Sequence, residues 1–500
     1  MRRRPITLPW HPLLTLLLAA AGCIDDGPRD ESFSLQNGAR VHVTASGGLE
    51  IELDSGATFA LADERAPVAR TFVESFRGDI AMFEFIRSNE VESPLDRYRG
   101  AVESAHGVTL ERESADRTFS ARIVVEPAGD DVTGIRLEVS PATSSIALPI
   151  RCDSAGTFHG FGEQYNGTNQ RGEAFSLIVS EQGIGREGTP RIIRGDEHTT
   201  YFPMPYYLDA RGFGVLLQTP HRVDVDLCAS DEAVAWLEVV SGQPVELLLF
   251  HGPEPLDVIR QLGDVVGRPA LPPEWAFSGV WIGAQGGRDA VIGVADRLEA
   301  AEIPATALWV QDWTGTRRNL DGGFGIQFRW APDEELYPDL PGLIADLRGR
   351  GLRFLTYANP FVDPALEDHF PEMEERDLLV GDPDEGGAYV FAAPNGESCH
   401  PDLTSPEARD YVREALREMV SVFGMDGWMA DYAEYQPLDA VLGDGSDPAA
   451  YHNLYPEAWQ RLTREVMDEE RPDGDWVMFA RSGWSGVQQV AQIHLSLIHI

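Results

Sequence analysis

The hydrophobic pattern changes period once along this chain, at a proline-rich join, and that change decides what each side can fold into. From about Ser32 to Leu262, short runs alternate apolar and polar residues, as in Leu49-Glu50-Ile51-Glu52-Leu53 and Val245-Glu246-Leu247-Leu248-Leu249-Phe250. A period of two lays one strand face on a core and the other toward water, so these runs predict an antiparallel β-sandwich over 32–268, with one helix near its end at 255–266. Gly267-Arg268-Pro269 through Leu271-Pro272-Pro273 stops both helix and sheet. Beyond it, strands are expected at 275–282, 305–311, 354–357, 427–430 and 476–480, with helices at 290–301, 340–347, 407–423 and 455–467. Strand alternating with helix implies a parallel sheet covered by helices. We read 269–494 as the first five strands of a (β/α)8 barrel, so the whole chain is a multidomain β and α/β protein.

Each expected barrel strand ends in polar residues: Gln285, Gln311-Asp312-Trp313, Asn359, Asp431 and Arg481. That end of such a barrel is where reactive groups sit. The run Met425 to Ala430 is apolar and stops abruptly at Asp431. A carboxylate placed so is a nucleophile candidate, although an Asp after a strand also serves as a helix N-cap.

Seven stretches carry a resemblance. They are Gly160-Phe161-Gly162-Glu163-Gln164-Tyr165, Glu181 to Arg186, Gly283-Ala284-Gln285-Gly286-Gly287, Gln311-Asp312-Trp313, Tyr357-Ala358-Asn359-Pro360-Phe361, Gly427-Trp428-Met429-Ala430-Asp431-Tyr432 and Arg481-Ser482-Gly483. Taken in this order over about 150–494, they resemble glycoside hydrolase family 31, the retaining α-glycosidases, and most of all its sulfoquinovosidase-like subgroup. The resemblance implies a galactose-mutarotase-like sandwich, a catalytic barrel, no metal or cofactor, and a carbohydrate substrate. It makes Asp431 the nucleophile and Asp312 and Arg481 holders of sugar hydroxyls. Glu434, three residues after Asp431, either orients it or is a solvated loop acid. Glu163 and Gln164 lie on a sandwich loop expected to reach over the barrel mouth, and Gln285 lies at the rim. Trp309, Trp313 and Trp330 either stack on a sugar ring or lie in the core, the commoner fate of Trp. For a sulfonated sugar the subgroup uses a Gln, an Arg and a Trp. Gln311 and Trp330 match, but Gln327 stands where the Arg belongs, leaving Arg317, Arg318 or Arg329 to supply the charge. An α-glucoside and an α-sulfoquinovoside therefore both remain open. So do a transglycosidase and a non-catalytic sugar-binding lipoprotein on the same scaffold.

The resemblance places the general acid at position 498, which is Ile498, with the preceding Trp of its motif at Leu495. Residues 495–500 read as a foreign tail on a truncated gene. The acid is thus expected to be absent from this chain, which is expected to lack turnover. At the other end, Arg2-Arg3-Arg4 precedes the apolar Leu13–Ala21, and Ala20-Ala21-Gly22 precedes Cys23. This reads as a signal segment over 1–23 with a lipobox-like Cys23, or as one with plain secretory cleavage and Cys23 incidental, followed by a tether over 24–31. Either implies export, and the first a lipid anchor to the inner or outer membrane and a periplasmic or cell-surface lipoprotein of a bacterium. Net charge is −41 and no Lys occurs, which sets the surface against nucleic acid and anionic lipid. Three further cysteines remain, Cys152, Cys228 and Cys399; the first two share the sandwich and are able to pair in an exported protein. Cys399-His400 is an adjacent pair without metal-site spacing.

Overall fold

The computed structural model describes residues 29–62, 65–182, 195–318, 324–394 and 396–494. Cys23 with its signal segment, most of the tether, the Gly183 to Arg186 part of one quoted motif, and the 495–500 tail lie outside these residues.

The amino-terminal half is all antiparallel. A four-stranded meander from Glu31–Ser34 to Thr58–Ala60 leads into an eight-stranded and a six-stranded sheet. Their inward residues form one core, among them Val41, Ile51, Leu110, Ile123, Val215, Leu237 and Leu249. Cys152 and Cys228 are disulfide-bonded with Cα atoms 6.4 Å apart. Cys399 is a buried free thiol that burial pushes up to about 12, so it stays protonated. A helix at Pro255–Val266 closes the half, and Pro at its first turn forfeits no hydrogen bond there.

The second half holds six parallel strands in sequential order: β1 (Val280–Gly283), β2 (Ala305–Trp309), β3 (Arg353–Ala358), β4 (Gly427–Ala430), β5 (Val477–Ala480) and β6 (Ile493–His494). Helices α1 (Arg288–Ala300), α2 (Leu340–Gly349), α3 (Pro406–Ser421) and α4 (Pro448–Glu470) connect them. Two expectations need correction. Six strands are described rather than five, the last a two-residue pairing of Ile493 and His494 with Phe479 and Ala480. Trp275–Ser278 is a helical turn, and the strand begins only at Val280. An apolar run such as Trp-Ala-Phe-Ser-Gly-Val-Trp-Ile has no period that separates helix from strand.

Side-chain alternation positions the site. Phe354, Trp428, Ala430, Met478 and Ala480 join the core beneath the helices. Leu355, Tyr357, Met429, Val477 and Phe479 join a second core inside the barrel. Ala358, Ala430 and Ala480 are register partners across β3, β4 and β5. One residue further, with the face reversed, Asp431 and Arg481 stand over the barrel interior at its carboxyl end.

Candidate active site

Arg481 is the hub. Its Nε lies 3.0 Å from Asp431 Oδ1, its Nη2 donates to Glu181 Oε2 at 3.2 Å and to Glu434 Oε1, and its Nη1 donates to Tyr201 Oη at 3.3 Å. The guanidinium carbon sits 4.1 Å from the Tyr201 ring centroid and 4.4 Å from that of Tyr432, between two aromatic faces. Glu181 also accepts from Tyr201 Oη at 2.7 Å and from Tyr435 Oη at 2.9 Å. Glu181 and Tyr201 belong to the sandwich, while Asp431, Tyr432, Glu434 and Tyr435 follow β4. Two bodies of the molecule therefore build one cluster. All four charged members are nearly or fully excluded from solvent.

A strained turn brings Glu434 back toward Arg481. Tyr432 and Ala433 both adopt positive φ, 58° and 82°. Such backbone costs a non-glycine residue about 1–3 kcal/mol and persists only where the surroundings hold it. Here Ser482 Oγ donates to the Tyr432 carbonyl, and the Asp431 N–H donates to Ala358 O at 2.9 Å.

Three carboxylates share one guanidinium, so the charges do not balance. Burial raises the pKa of Asp431, against Arg481, the Tyr357 hydroxyl and a Tyr432 backbone bond, with Glu181 adding to the rise. Burial raises Glu434 further, to about 8, despite its bond to Arg481. Glu434 Oε2 has no hydrogen-bond partner among the described residues. Asp431 is prepared differently. Tyr357 donates to its Oδ2, while Oδ1 has the ionic contact to Arg481 without hydrogen-bond alignment. One carboxylate oxygen is thus anchored by a hydroxyl and the other faces the guanidinium, both out of reach of solvent.

The other expected residues fall around this cluster at varying removes. Asp312 is fully buried, accepting from Tyr337 Oη and from the Gly286 N–H at 2.8 Å. It is not drawn to Arg481. Gln285 donates to Gln311 Oε1 at 2.7 Å on the exposed rim. Gln327 is half-buried and bonds through its backbone to Gly315 at 3.1 Å and Thr314 at 2.9 Å. Glu163 accepts from Tyr165 at 3.1 Å and Thr200 at 3.3 Å, and Gln164 Oε1 faces His198 at 2.7 Å, so both serve the sandwich loop beside Tyr201. Two of the tryptophans follow the core reading. Trp313 and Trp330 lie in the core and spend their N–H groups on the carbonyls of Tyr357 and Asn359, both at 2.9 Å. Neither ring is open to stack on a sugar. Trp309, partly buried, donates to Thr356 O at 3.0 Å.

Sequence reasoning passed over Glu181, Tyr201 and Tyr357 as site members. Glu181 and Tyr357 stood in quoted motifs, and an acidic residue at the head of a Gly-rich stretch was the available signal. Tyr201 carried none. Among the described residues, no group of three or more His, Cys, Asp and Glu is arranged to hold a metal.

A β-sandwich joined to a parallel α/β barrel, with a buried carboxylate cluster at the carboxyl ends of β4 and β5, defines the class. Residues 269–496 match the family described as glycosyl hydrolases family 31 TIM-barrel domain. The sulfoquinovosidase of Agrobacterium fabrum is 31% identical over 375 residues, 72% of this chain and 54% of that protein. That of Escherichia coli is 28% identical over 354 residues, 69% of this chain and 51% of that protein. The chain spans about half the length of these two relatives. A solved family 31 sulfoquinovosidase from E. rectale, in complex with an aza-sugar inhibitor, superposes with TM-score 0.79. At 23% identity, covering 94% of this chain and 68% of that one, it speaks for the fold. The chain belongs to glycoside hydrolase family 31, in its sulfoquinovosidase and α-glucosidase-like part.

Proposed function

We propose that this chain carries the nucleophile side of a retaining α-glycoside hydrolase. The observation that carries the reading is Asp431, with one oxygen anchored by Tyr357 and the other beside Arg481 at the barrel mouth. Asp431 attacks the anomeric carbon and forms a β-linked glycosyl-enzyme as the leaving oxygen departs; water then attacks the same carbon and restores the α configuration. Arg481 and the hydroxyls of Tyr201 and Tyr357 supply a preset field for the charge that moves between carboxylate and sugar. The family's proton donor falls at position 498, where this chain carries Ile498, which has no proton to give, so the donor is a group that this chain does not supply.

Two sugars compete. The named sulfoquinovosidases favour an α-sulfoquinovoside. The arginines nearest the expected sulfonate readers favour a neutral α-glucoside. Arg317 is paired with Asp363, and Arg329 is held by Asp368 at 3.1 Å and Thr314 O at 3.0 Å. A carboxylate partner offsets the charge a sulfonate would seek, although Arg317 keeps Nε and Nη2 without a hydrogen-bond partner among the described residues. The test is turnover of aryl α-glucoside against aryl α-sulfoquinovoside by the chain extended to the length of its relatives. The α-anomer is expected as first product, and loss of turnover in Asp431→Ala. A β-anomer, or near wild-type turnover in that variant, rejects the reading.

A further inference from the structure

Glu181 reaches Arg481 from a loop of the sandwich, and something must hold that loop. Val179, two residues earlier, has both backbone groups taken by α4 of the barrel. Its N–H donates to Asn453 Oδ1 at 2.9 Å, and its carbonyl faces His452 Nε2 at 2.7 Å. Asn453 Nδ2 in turn donates to the Pro220 carbonyl at 2.9 Å, which fixes the amide orientation. His452 Nδ1 faces the carbonyl of Gln436 at 2.5 Å, and Gln436 lies two residues past Glu434. Both side chains are fully buried, with Phe83 edge-on to the imidazole at 5.1 Å.

We propose that His452 and Asn453 are positioning residues for the Arg481 cluster, pairing with Val179 as a neighbouring strand would and tying it to Gln436, so that Glu181 and Glu434 approach Arg481 from one anchor. The proposal deepens the active-site reading above and rests on it. Neither residue touches the cluster, so each acts through backbone.

The imidazole gives this clamp a signature. Both ring nitrogens face carbonyl oxygens, which only accept, so both bonds exist only when the ring carries two N–H groups. Burial opposes that charge and lowers the pKa of His452, while the two carbonyls pull it up. Geometry weighs more here. A neutral ring sets a nitrogen lone pair against a carbonyl lone pair at 2.5 or 2.7 Å. The titratable group sharing its surroundings is His400, which burial drives down to about 3 and which is therefore neutral. Both bonds of the clamp are therefore met only by an imidazolium, whose charge burial opposes.

Two measurements on the full chain test this without requiring turnover. In the 15N-histidine spectrum at pH 7, one imidazole is expected with both nitrogens protonated, and its signal is expected to vanish in His452→Phe. In Asn453→Ala, amide exchange over 178–182 is expected to rise about tenfold or more while the strand Phe213–Leu217 keeps its protection. A neutral tautomer for His452, or unchanged exchange at 178–182, overturns the proposal. If Asn453→Ala fails to fold, Asn453→Ser serves for the exchange arm, and the wild-type spectrum stands by itself. Absence of covalent labelling at Asp431 with the clamp intact would count against the active-site reading alone.

Discussion

Glu434 shows how a residue's role depends on its neighbours more than on its type. In water it would be ionised at neutral pH. Here two other carboxylates compete for the same guanidinium, and burial lifts it to about 8. The consequence for stability has a definite sign. Between about pH 4.5 and about 8 the folded chain holds a proton on Glu434 that the unfolded chain has already released. Its contribution is full below the unfolded value and is lost as pH rises through about 8. Asp431 is raised too, so it acts in the same direction. Thermal denaturation should therefore show Tm falling across that window, and Glu434→Gln should flatten the fall. An unchanged slope would place the proton elsewhere. At this scale Asp431 and Arg481 were legible, because each ends an apolar run. The proton on Glu434 was not, since three residues of spacing say nothing about how many acids share one Arg.

At the scale of elements, β4 carries opposite charge problems at its two ends. Its carboxyl end opens on one Arg among three carboxylates. Just before its amino end, buried Asp426 meets Arg348 at 2.9 Å, Arg471 at 3.3 Å and Arg353 at 3.6 Å, and accepts the Phe354 N–H at 3.0 Å. Conserving charge at the second end bears on stability rather than chemistry, since reactions occur on the other face. Asp426→Ala should lower unfolding free energy by about 3–5 kcal/mol in chemical denaturation, because three arginines lose their common partner. A loss under about 1 kcal/mol would mean that solvent already screens those arginines. The strand itself was readable, Gly427 to Ala430 being a short apolar run between a Gly and an acid. Ile493–His494 was not readable, because two residues have no period. The burial of Trp330 was equally hidden, as a Trp in a loop reads the same whether its ring faces a sugar or a core.

Across the whole molecule, the two halves are interlocked by side chains far apart in sequence. Trp484, in the loop after β5, is buried in the sandwich core and donates to Thr219 O at 2.7 Å. Gly483 donates its N–H to Tyr201 O at 3.0 Å, and Arg481 meets Glu181 and Tyr201 beside it. Trp484→Ala should therefore destabilise the sandwich by about 3–5 kcal/mol although the residue belongs to the barrel. Amide exchange would report it as lost protection in strands such as Val234–Val239. Retained protection there would make the two halves independent. The period change at the proline join made the two architectures visible in sequence. Their docking was not visible, because contacts such as Arg481 to Glu181 span 300 positions and leave no local pattern.

The claim beneath all of this is that Asp431 bonds covalently to a sugar. A fluorosugar with an activated leaving group needs no proton from a general acid, so it can be offered to this chain directly. Peptide mass analysis should then find one added glycosyl unit on Asp431, abolished by Asp431→Ala. Labelling of Glu434, Glu181 or any other side chain would contradict the account.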